Sequence, residues 1–222
     1  MIKILKKLKK KPSEHKDIFI FDFDGTIADT MLHLINISNR LAESFGYDTV
    51  KSEKVEEMRS WTSKQVFKHL NVPFLKIPRI LNAARLELNK DLEHIKSFDG
   101  IKEALEELKE RGHQIGIFTS NSEENVHLIL KKNDLDIFDF VLSTPKLWNK
   151  NRGLKRIIKK NNFNKEKMVY IGDETRDIQA AKKIGIRSMA VAWGYNTIER
   201  LKGFEPDYVA YTPNDILQCC ER

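Results

Sequence analysis

The stretch FIFDFDGT, residues 19–26, decides the fold, because it joins the pattern of a strand to two closely spaced acids. Its aromatic and aliphatic side chains predict a buried strand, and Asp22 and Asp24 stand at the end of that strand, beside Gly25. An unpaired carboxylate costs several kcal/mol to bury. We therefore expect a site at this strand end, where another group compensates the two negative charges.

Beyond residue 97 the chain alternates between strand and helix patterns at short intervals. We predict strands at 114–120, 138–143, 168–173, 188–194 and 206–211, and helices at 100–112, 122–133, 152–162, 175–185 and 213–220. Alternation of this kind is typical of a parallel sheet with helices on both faces. The predicted fold class is α/β, with a doubly wound, Rossmann-like parallel sheet.

Residues 30–96 interrupt this alternation, since they carry several helical patterns and no convincing strand. Ordinary crossover helices are one explanation, but a crossover needs only one helix, and the length favours a small helical subdomain. We predict a basic leader at 1–16, a core domain formed by 17–29 and 97–222, and a helical cap at 30–96.

The chain of 222 residues has a formal net charge of +7, and six lysines lie within residues 3–11 of the leader. Ile2, Leu5 and Leu8 recur there at a spacing that allows a short basic amphipathic helix. A solubilising, partly disordered tail is the simpler interpretation, and contact with a membrane is the alternative. No aromatic residues are interleaved with the other lysines, so we expect no nucleic-acid partner.

The sequence also favours a cytoplasmic protein. No apolar run reaches the roughly 18 residues of a membrane span, and lysines break the apolar part of the leader, unlike a signal peptide. The only two cysteines, Cys219 and Cys220, are adjacent and rarely bridge each other in that arrangement, so we expect thiols in a reducing compartment. No oligomeric state is predicted.

Polar side chains follow three strands of the predicted sheet. Asp22 and Asp24 end the first strand, residues 119–121 (Thr-Ser-Asn) end the second, and Asp173 ends the fourth, with Asp177 one turn into the next helix. The carboxyl ends of parallel strands meet at one edge, where ligands bind. Several acids at one edge repel one another without a cation, and oxygen ligands suit Mg²⁺. A single aspartate after a strand is, on its own, more often a turn or cap residue.

These motifs resemble those of the haloacid dehalogenase superfamily, in its phosphatase branch. The resemblance rests on DFDGT at 22–26, on the hydrophobic strand that ends in Thr119, and on GDETRD at 172–177, in that order along the chain. It covers residues 17 to 215 and is closest to the phosphoglycolate phosphatase group. Motif order and fold alone do not name a substrate.

The resemblance implies roles for the first two acids. Asp22 matches the nucleophile that forms an aspartyl-phosphate, and Asp24 matches the general acid and base. Relatives that displace a halide need no acid two residues after the nucleophile, so Asp24 favours phosphate esters. Thr119 matches the hydroxyl that holds the phosphoryl oxygens, with Ser120 and Asn121 beside it.

The resemblance also implies a metal site and a lysine. The Asp22 carboxylate, the Asp24 carbonyl and Asp173 match the Mg²⁺ ligands, while Asp177 matches the acid that supports the metal-bound water or the lysine. Candidates for that lysine are Lys146, Lys150 and Lys155. The family often has Lys-Pro at this place, and this sequence does not. Helix geometry favours Lys150, which precedes the predicted apolar stripe, over Lys146, and it turns Lys155 to solvent.

The predicted cap suggests a small phosphorylated metabolite as substrate, because a closed lid excludes water and leaves little room for a folded protein. The cap residues that could contact it are His33, Arg40, Trp61, Lys64, His69 and Arg85, each more often solvated or structural. We interpret His113 as a turn residue, Trp193 as packing and Gly194 as a turn.

The predicted function is therefore a Mg²⁺-dependent phosphatase that hydrolyses a phosphate monoester. A phosphomutase or a phosphonate hydrolase on the same fold is the alternative. A non-catalytic binding protein is a further alternative. Such a protein usually lacks one of the motif acids, whereas all four are present here.

Overall fold

The structure is a computed structural model, and it describes residues 16–144 and 150–220. The predicted leader, apart from Lys16, and the candidate Lys146 lie outside the described residues. None of the helices in the described part of the chain combines the length and the apolar character that a membrane span requires.

The described residues contain one six-stranded sheet, and every neighbouring pair of strands is parallel. The strands are β1 (Ile18–Phe21), β2 (Gln114–Thr119), β3 (Phe140–Ser143), β4 (Met168–Gly172), β5 (Arg187–Val191) and β6 (Tyr208–Ala210). Their order across the sheet is β3-β2-β1-β4-β5-β6. The chain therefore reverses its direction of winding at β1, and a parallel sheet binds ligands at such a switch point.

Helices cover both faces of the sheet, which confirms the predicted fold class. Phe19 and Phe21 pack with α5 (Ile101–Glu110) and α6 (Glu123–Lys132), whereas Ile20 packs with α7 (Lys150–Asn161) and α8 (Thr175–Ile184). Alternate side chains of β1 thus point to opposite faces, and both faces are buried, as expected for a central parallel strand.

The observed elements differ from the sequence prediction mainly at their ends. Most predicted strands are longer than the observed ones, and at β2 and β4 the extra residue is the polar one that follows the ladder, Ser120 and Asp173. Helix α9 (Ile198–Lys202) was not predicted. The predicted last helix is a 3₁₀ helix, Pro213–Cys220, rather than an α-helix.

Residues 31–94, here called the helical segment, are all described, and they form four α-helices and three 3₁₀ helices without a strand. The α-helices are α1 (Met31–Phe45), α2 (Val55–Arg59), α3 (Ser63–His69) and α4 (Ile77–Leu88), and the 3₁₀ helices are Ser52–Lys54, Phe74–Lys76 and Leu92–His94. The Thr62 side chain caps α3 and Pro78 lies in the first turn of α4. This segment leaves the sheet at the carboxyl end of β1 and returns before α5.

Candidate active site

Asp22 lies directly after β1 and is only 2% exposed. Its Oδ2 lies 2.5 Å from the Nζ of Lys150, and the same Nζ lies 2.5 Å from Oδ1 of Asp177. Burial raises the pKa of Asp22 to about 7, although Lys150 opposes that rise. Burial disfavours the ammonium of Lys150 too, but Asp177 and Asp22 outweigh it and raise the pKa of Lys150. The three groups form a buried ion-paired unit.

Asp22, Asp173 and Asp177 form an acidic cluster, because carboxylate oxygens from the three residues lie within 4.8 Å of one another. Asp173 is fully buried, and burial, followed by the charges of Asp22, Glu174 and Asp177, raises its pKa well above the usual range. A cation among these oxygens would relieve that repulsion. The Nζ of Lys150 donates a hydrogen bond to Oδ1 of Asp177, which is the contact expected if Asp177 supports the lysine.

The carboxylate of Asp173 is oriented by groups from two loops. Thr26 donates its hydroxyl to Oδ1 at 2.7 Å, and the backbone N–H of Tyr195 donates to Oδ2 at 2.8 Å. The backbone approaches closely here, since a Cβ on Gly25 would lie 2.2 Å from Oδ2 of Asp173, and Gly25 has a φ of +80°. A Cβ on Gly194 would lie 2.2 Å from the Asp173 Cβ. Gly194 is thus a close-packing position, which the turn interpretation missed.

Asp24 lies two residues after Asp22 but in a different environment. It is half-buried and lines a cavity, and it accepts hydrogen bonds of 3.2 Å from Nδ2 of Asn121 at both carboxylate oxygens. Burial raises the pKa of Asp24, against hydrogen bonds from Thr30 and Asn121. A carboxyl group with a raised pKa beside an open cavity is suited to giving and taking a proton.

Thr119 and Ser120 follow β2 at the same edge. The Thr119 hydroxyl is buried and accepts from the backbone N–H of Asn121 at 3.0 Å, so it can still donate its proton. The Ser120 carbonyl accepts from Nη2 of Arg85 at 2.5 Å. Residues 119–121 therefore lie at the site as predicted, and Arg85 of α4 reaches the same strand end.

The lysine beside Asp22 is Lys150. Contrary to the prediction, it is not placed before the helix: it is the first described residue of α7, and its side chain is buried. Lys155 is exposed one turn later, as expected. Lys146 lies outside the described residues.

Of the six residues of the predicted cap that were candidates for substrate contact, three line a cavity and three do not. Trp61 and Arg85 line the cavity above Asp24, and Lys64 lines a second cavity of about 340 Å³ beside Lys150. The other three are structural or distant: His33 lies 3.6 Å from Asp91, Arg40 lies 3.8 Å from Glu87, and the His69 ring packs on Trp61.

The cavity above Asp24 has a volume of about 330 Å³ and lies between the helical segment and the carboxyl edge of the sheet. Hydrogen bonds fix the segment over this edge. Arg59 donates to the carbonyls of Gly194 and Tyr195, and Asn196 donates to the carbonyls of Arg59 and Trp61. The volume falls within the range of about 300–1,000 Å³ that is typical of ligand pockets.

Sequence reasoning assigned no role to several residues of the site. Thr26, Glu174 and Arg176 stand inside the quoted motifs, while Tyr195 and Asn196 reach the site through a loop whose folding the local pattern does not reveal. Ser63 donates to Oε1 of Glu174 at 2.9 Å, and Arg176 pairs with the other oxygen. Burial disfavours the Arg176 guanidinium, but Glu174, Asp177 and Asp22 raise its pKa.

Comparisons with known proteins agree with this site. A family model described as haloacid dehalogenase-like hydrolase matches residues 19–191. A phosphoglycolate phosphatase from Synechococcus elongatus is 32% identical over 90% of this chain and 94% of its own length. The pyrophosphatase PpaX from Listeria innocua is 26% identical over 89% of this chain and 93% of its own. A haloacid dehalogenase-like hydrolase structure from Streptococcus pneumoniae superposes with a TM-score of 0.78 at 21% identity, over 93% of this chain and 99% of that one, and shares the fold.

Proposed function

The chain belongs to the haloacid dehalogenase-like hydrolase family and is a phosphatase, and from this premise we propose a Mg²⁺-dependent hydrolysis of a small phosphate monoester through an aspartyl-phosphate on Asp22. The observation that carries the proposal is the pair of environments along FDFDGT. Asp22 is buried against Lys150, whereas Asp24 lines the cavity.

In the proposed reaction an Asp22 oxygen attacks phosphorus, and the bond from phosphorus to the ester oxygen breaks. Asp24 gives its proton to the leaving oxygen and then takes a proton from the water that hydrolyses the aspartyl-phosphate. Lys150, which contacts Asp22, and the buried hydroxyl of Thr119 at the same edge of the sheet are proposed to hold the phosphoryl oxygens. Phosphoryl transfer depends mainly on such positioning and charge neutralisation.

The residues present fit a divalent cation. Asp22 and Asp173 offer hard oxygen ligands, and burial followed by the charges of the neighbouring carboxylates raises the pKa of Asp173. When bound, Mg²⁺ would offset the repulsion between Asp22 and an anionic phosphate. Asp177 already holds Lys150 and would support the site from behind.

We further propose that the helical segment is the cap, that the core is 17–29 with 97–222, and that the substrate is a small phosphorylated metabolite in the cytoplasm. The contacts that support a cap come from α2, α3 and α4. Arg59, Ser63 and Arg85 all donate hydrogen bonds to groups at the carboxyl edge of the sheet. A cap of this kind excludes water from the reacting phosphoryl group.

The proposal is tested with p-nitrophenyl phosphate. We expect hydrolysis that requires Mg²⁺, is lost in excess chelator and returns when Mg²⁺ is restored. Asp22→Asn should abolish it, while Asp29→Asn, which changes an exposed carboxylate a few residues away, should not. Full turnover in excess chelator would contradict the metal assignment, and normal turnover by Asp22→Asn would contradict the nucleophile.

A further inference from the structure

The cavity above Asp24 has two unlike ends. Its polar end is formed by Asp24, Ser120 and Asn121 from the core, with Arg85 beside them. Glu174, Arg176, Tyr195 and Asn196 of the core also line the cavity. The rest of the wall comes from residues 31–88, and all of those side chains are apolar or aromatic apart from Ser38, Arg59, Ser63 and Arg85.

The apolar wall is not closed by packing. Side chains that line it from α1, α3 and α4, such as Leu34, Phe67 and Leu81, remain partly exposed. Under the sheet, by contrast, Phe19 and Phe21 are fully buried. Protein interiors normally pack to the density of organic crystals. An apolar chamber that solvent can enter, lined at one end by Asp24, is therefore suited to an apolar ligand group.

The charged side chains in this wall already hold protein groups. Arg59 donates to two backbone carbonyls and pairs with Glu56, Arg85 donates to the Ser120 carbonyl, and Arg176 pairs with Glu174. A second anionic group on the substrate would compete with these contacts for the guanidinium charge or lie against apolar side chains. Either outcome is unfavourable for a carboxylate or a second phosphate.

We propose that the substrate is the phosphate monoester of an apolar alcohol, with its phosphoryl group between Asp22 and Asp24 and its aliphatic or aromatic part in this cavity. The inference rests on the proposed phosphatase function and names its substrate class. At about 30 Å³ for each non-hydrogen atom, as for a water molecule in the liquid, the cavity holds about ten such atoms. The apolar part then has about eight to ten carbons.

The first test is a series of n-alkyl phosphates from ethyl to dodecyl, compared with 2-phosphoglycolate and pyrophosphate. We expect kcat/KM to rise by up to about fourfold for each added methylene, because each leaves water for the cavity. The rise should stop near the length that fills the cavity. For apolar esters of that length, kcat/KM should be higher than for 2-phosphoglycolate and for pyrophosphate.

A second readout does not depend on turnover. Alkylphosphonates, whose carbon–phosphorus bond this chemistry does not break, should bind with an affinity that rises over the same chain lengths in titration calorimetry. Ala84→Phe, which places a ring in the cavity, should remove most of this dependence. Ala83→Phe, on the same helix and outside the cavity wall, should keep it. Leu81→Ala enlarges the cavity and should move the plateau to longer chains, which provides an independent variant if Ala84→Phe does not fold.

Two outcomes would overturn the inference and leave the proposed function intact. One is a kcat/KM and a phosphonate affinity that stay flat along the series. The other is a clear preference for 2-phosphoglycolate or pyrophosphate, which would point to the second cavity, lined by Lys64, Lys150, Arg176 and Lys183. If no phosphate ester is hydrolysed at all, including p-nitrophenyl phosphate, the proposed function fails, and the phosphonate series still decides whether the cavity binds apolar chains.

Discussion

Asp22 and Asp24 are separated by one residue, yet the structure gives them opposite surroundings. Asp22 is ion-paired with Lys150 in a closed site, and the ammonium opposes the rise in pKa that burial causes. Asp24 accepts hydrogen bonds from the neutral amide of Asn121, and it is open to the cavity. Two carboxylates with such different environments are suited to different tasks, one as nucleophile and the other as proton carrier.

The first prediction separates these two tasks. Asp22→Asn removes the nucleophile, so neither phosphoenzyme nor product should form. Asp24→Asn removes only the proton carrier, whose usual contribution is about 10²–10⁴-fold in rate. With p-nitrophenyl phosphate, whose leaving group scarcely needs a proton, Asp24→Asn should still form the phosphoenzyme and then hydrolyse it slowly. Mass spectrometry of the quenched variant should find one added phosphoryl group on Asp22. A phosphoryl group on Asp24 would reverse the assignment.

The second prediction concerns Lys150, the cation between Asp22 and Asp177. Lys150→Met leaves two buried carboxylates without it, so we expect kcat/KM to fall by about 10²–10³-fold, as on loss of one electrostatic donor. The free energy of unfolding should fall by about 3–5 kcal/mol, as on breaking a buried ion pair. Lys155→Met changes an exposed lysine of the same helix and is the matched control. An active, stable Lys150→Met variant would show that another lysine takes this role.

The third prediction concerns His113, which is buried and not the turn residue that the sequence suggests. Its Nδ1 accepts from the backbone N–H of Asp17 at 3.1 Å, and its ring packs on Phe19. Burial lowers the pKa of His113 below the usual 6.5, against the charge of Asp17 and together with that of Arg111. The unfolded chain therefore binds the proton at a higher pH than the folded protein does.

The stability that neutral His113 contributes is complete above pH 6.5 and is lost as the pH falls below that value towards the folded pKa. Chemical denaturation at several pH values should show this loss in the wild type, with a slope of up to about 1.4 kcal/mol per pH unit. His113→Gln should flatten that part of the profile. His127→Gln, which changes an exposed histidine of α6, should leave it as it is; equal profiles for the wild type and His113→Gln would contradict the prediction.

At the scale of the elements, the loop after β5 makes hydrogen bonds to three other parts of the molecule. It brings the Tyr195 N–H to Asp173, donates the Trp193 ring N–H to the Thr26 carbonyl at 3.1 Å, and accepts from Arg59 of the helical segment. The loop thus joins the acidic cluster, the loop after β1 and the segment above them.

The fourth prediction tests the close packing of this loop. Gly194→Ala would place a Cβ 2.2 Å from the Asp173 Cβ and 2.3 Å from the Gly25 carbonyl oxygen, which is backbone that has little room to move. We expect the free energy of unfolding to fall by about 1–3 kcal/mol, as for overpacking, and activity to fall with it. Gly203→Ala is the control, because its Cβ would be no closer than 3.4 Å to any atom outside its neighbours. Equal thermal stability of the two variants would mean that the loop can shift to accommodate the added Cβ at little cost.

In the whole molecule, the sheet and the helical segment divide the site between them. The switch point of the sheet gathers the acids and Lys150 at the carboxyl end of β1, while the segment supplies the apolar wall and Arg85. Under the proposed function, this division would separate the chemistry, assigned to the core, from the selection of the leaving group, assigned to the segment.

The fifth prediction applies to the folded protein as a unit. A cation that binds only the native acidic cluster stabilises it by about 2.7 kcal/mol at a concentration about 100 times its Kd. For a chain of this size Tm should then rise by about 5–10 °C. Asp173→Asn should remove most of this rise in thermal unfolding with and without Mg²⁺, whereas Asp99→Asn, at an exposed position, should not. A Tm that Mg²⁺ does not change in the wild type would argue against a native metal site.

The sequence alone determined the α/β class, the order of the core elements and the motif acids. Strand and helix periods are local properties, and the switch from one to the other is visible in the chain from residue 97 onward. The edge at which Asp22, Thr119 and Asp173 meet also follows from local information, because parallel strands must align their carboxyl ends.

Only the tertiary structure decided which groups touch. That Lys150 reaches Asp22, that Asp177 holds that lysine, and that Tyr195 and Arg85 reach the site depend on the packing of α7, α8, α4 and a loop against one strand end. The apolar cavity has the same origin, since each of its helices has an ordinary apolar stripe. Whether such stripes close on one another or leave a chamber depends on helix positions that no local pattern encodes.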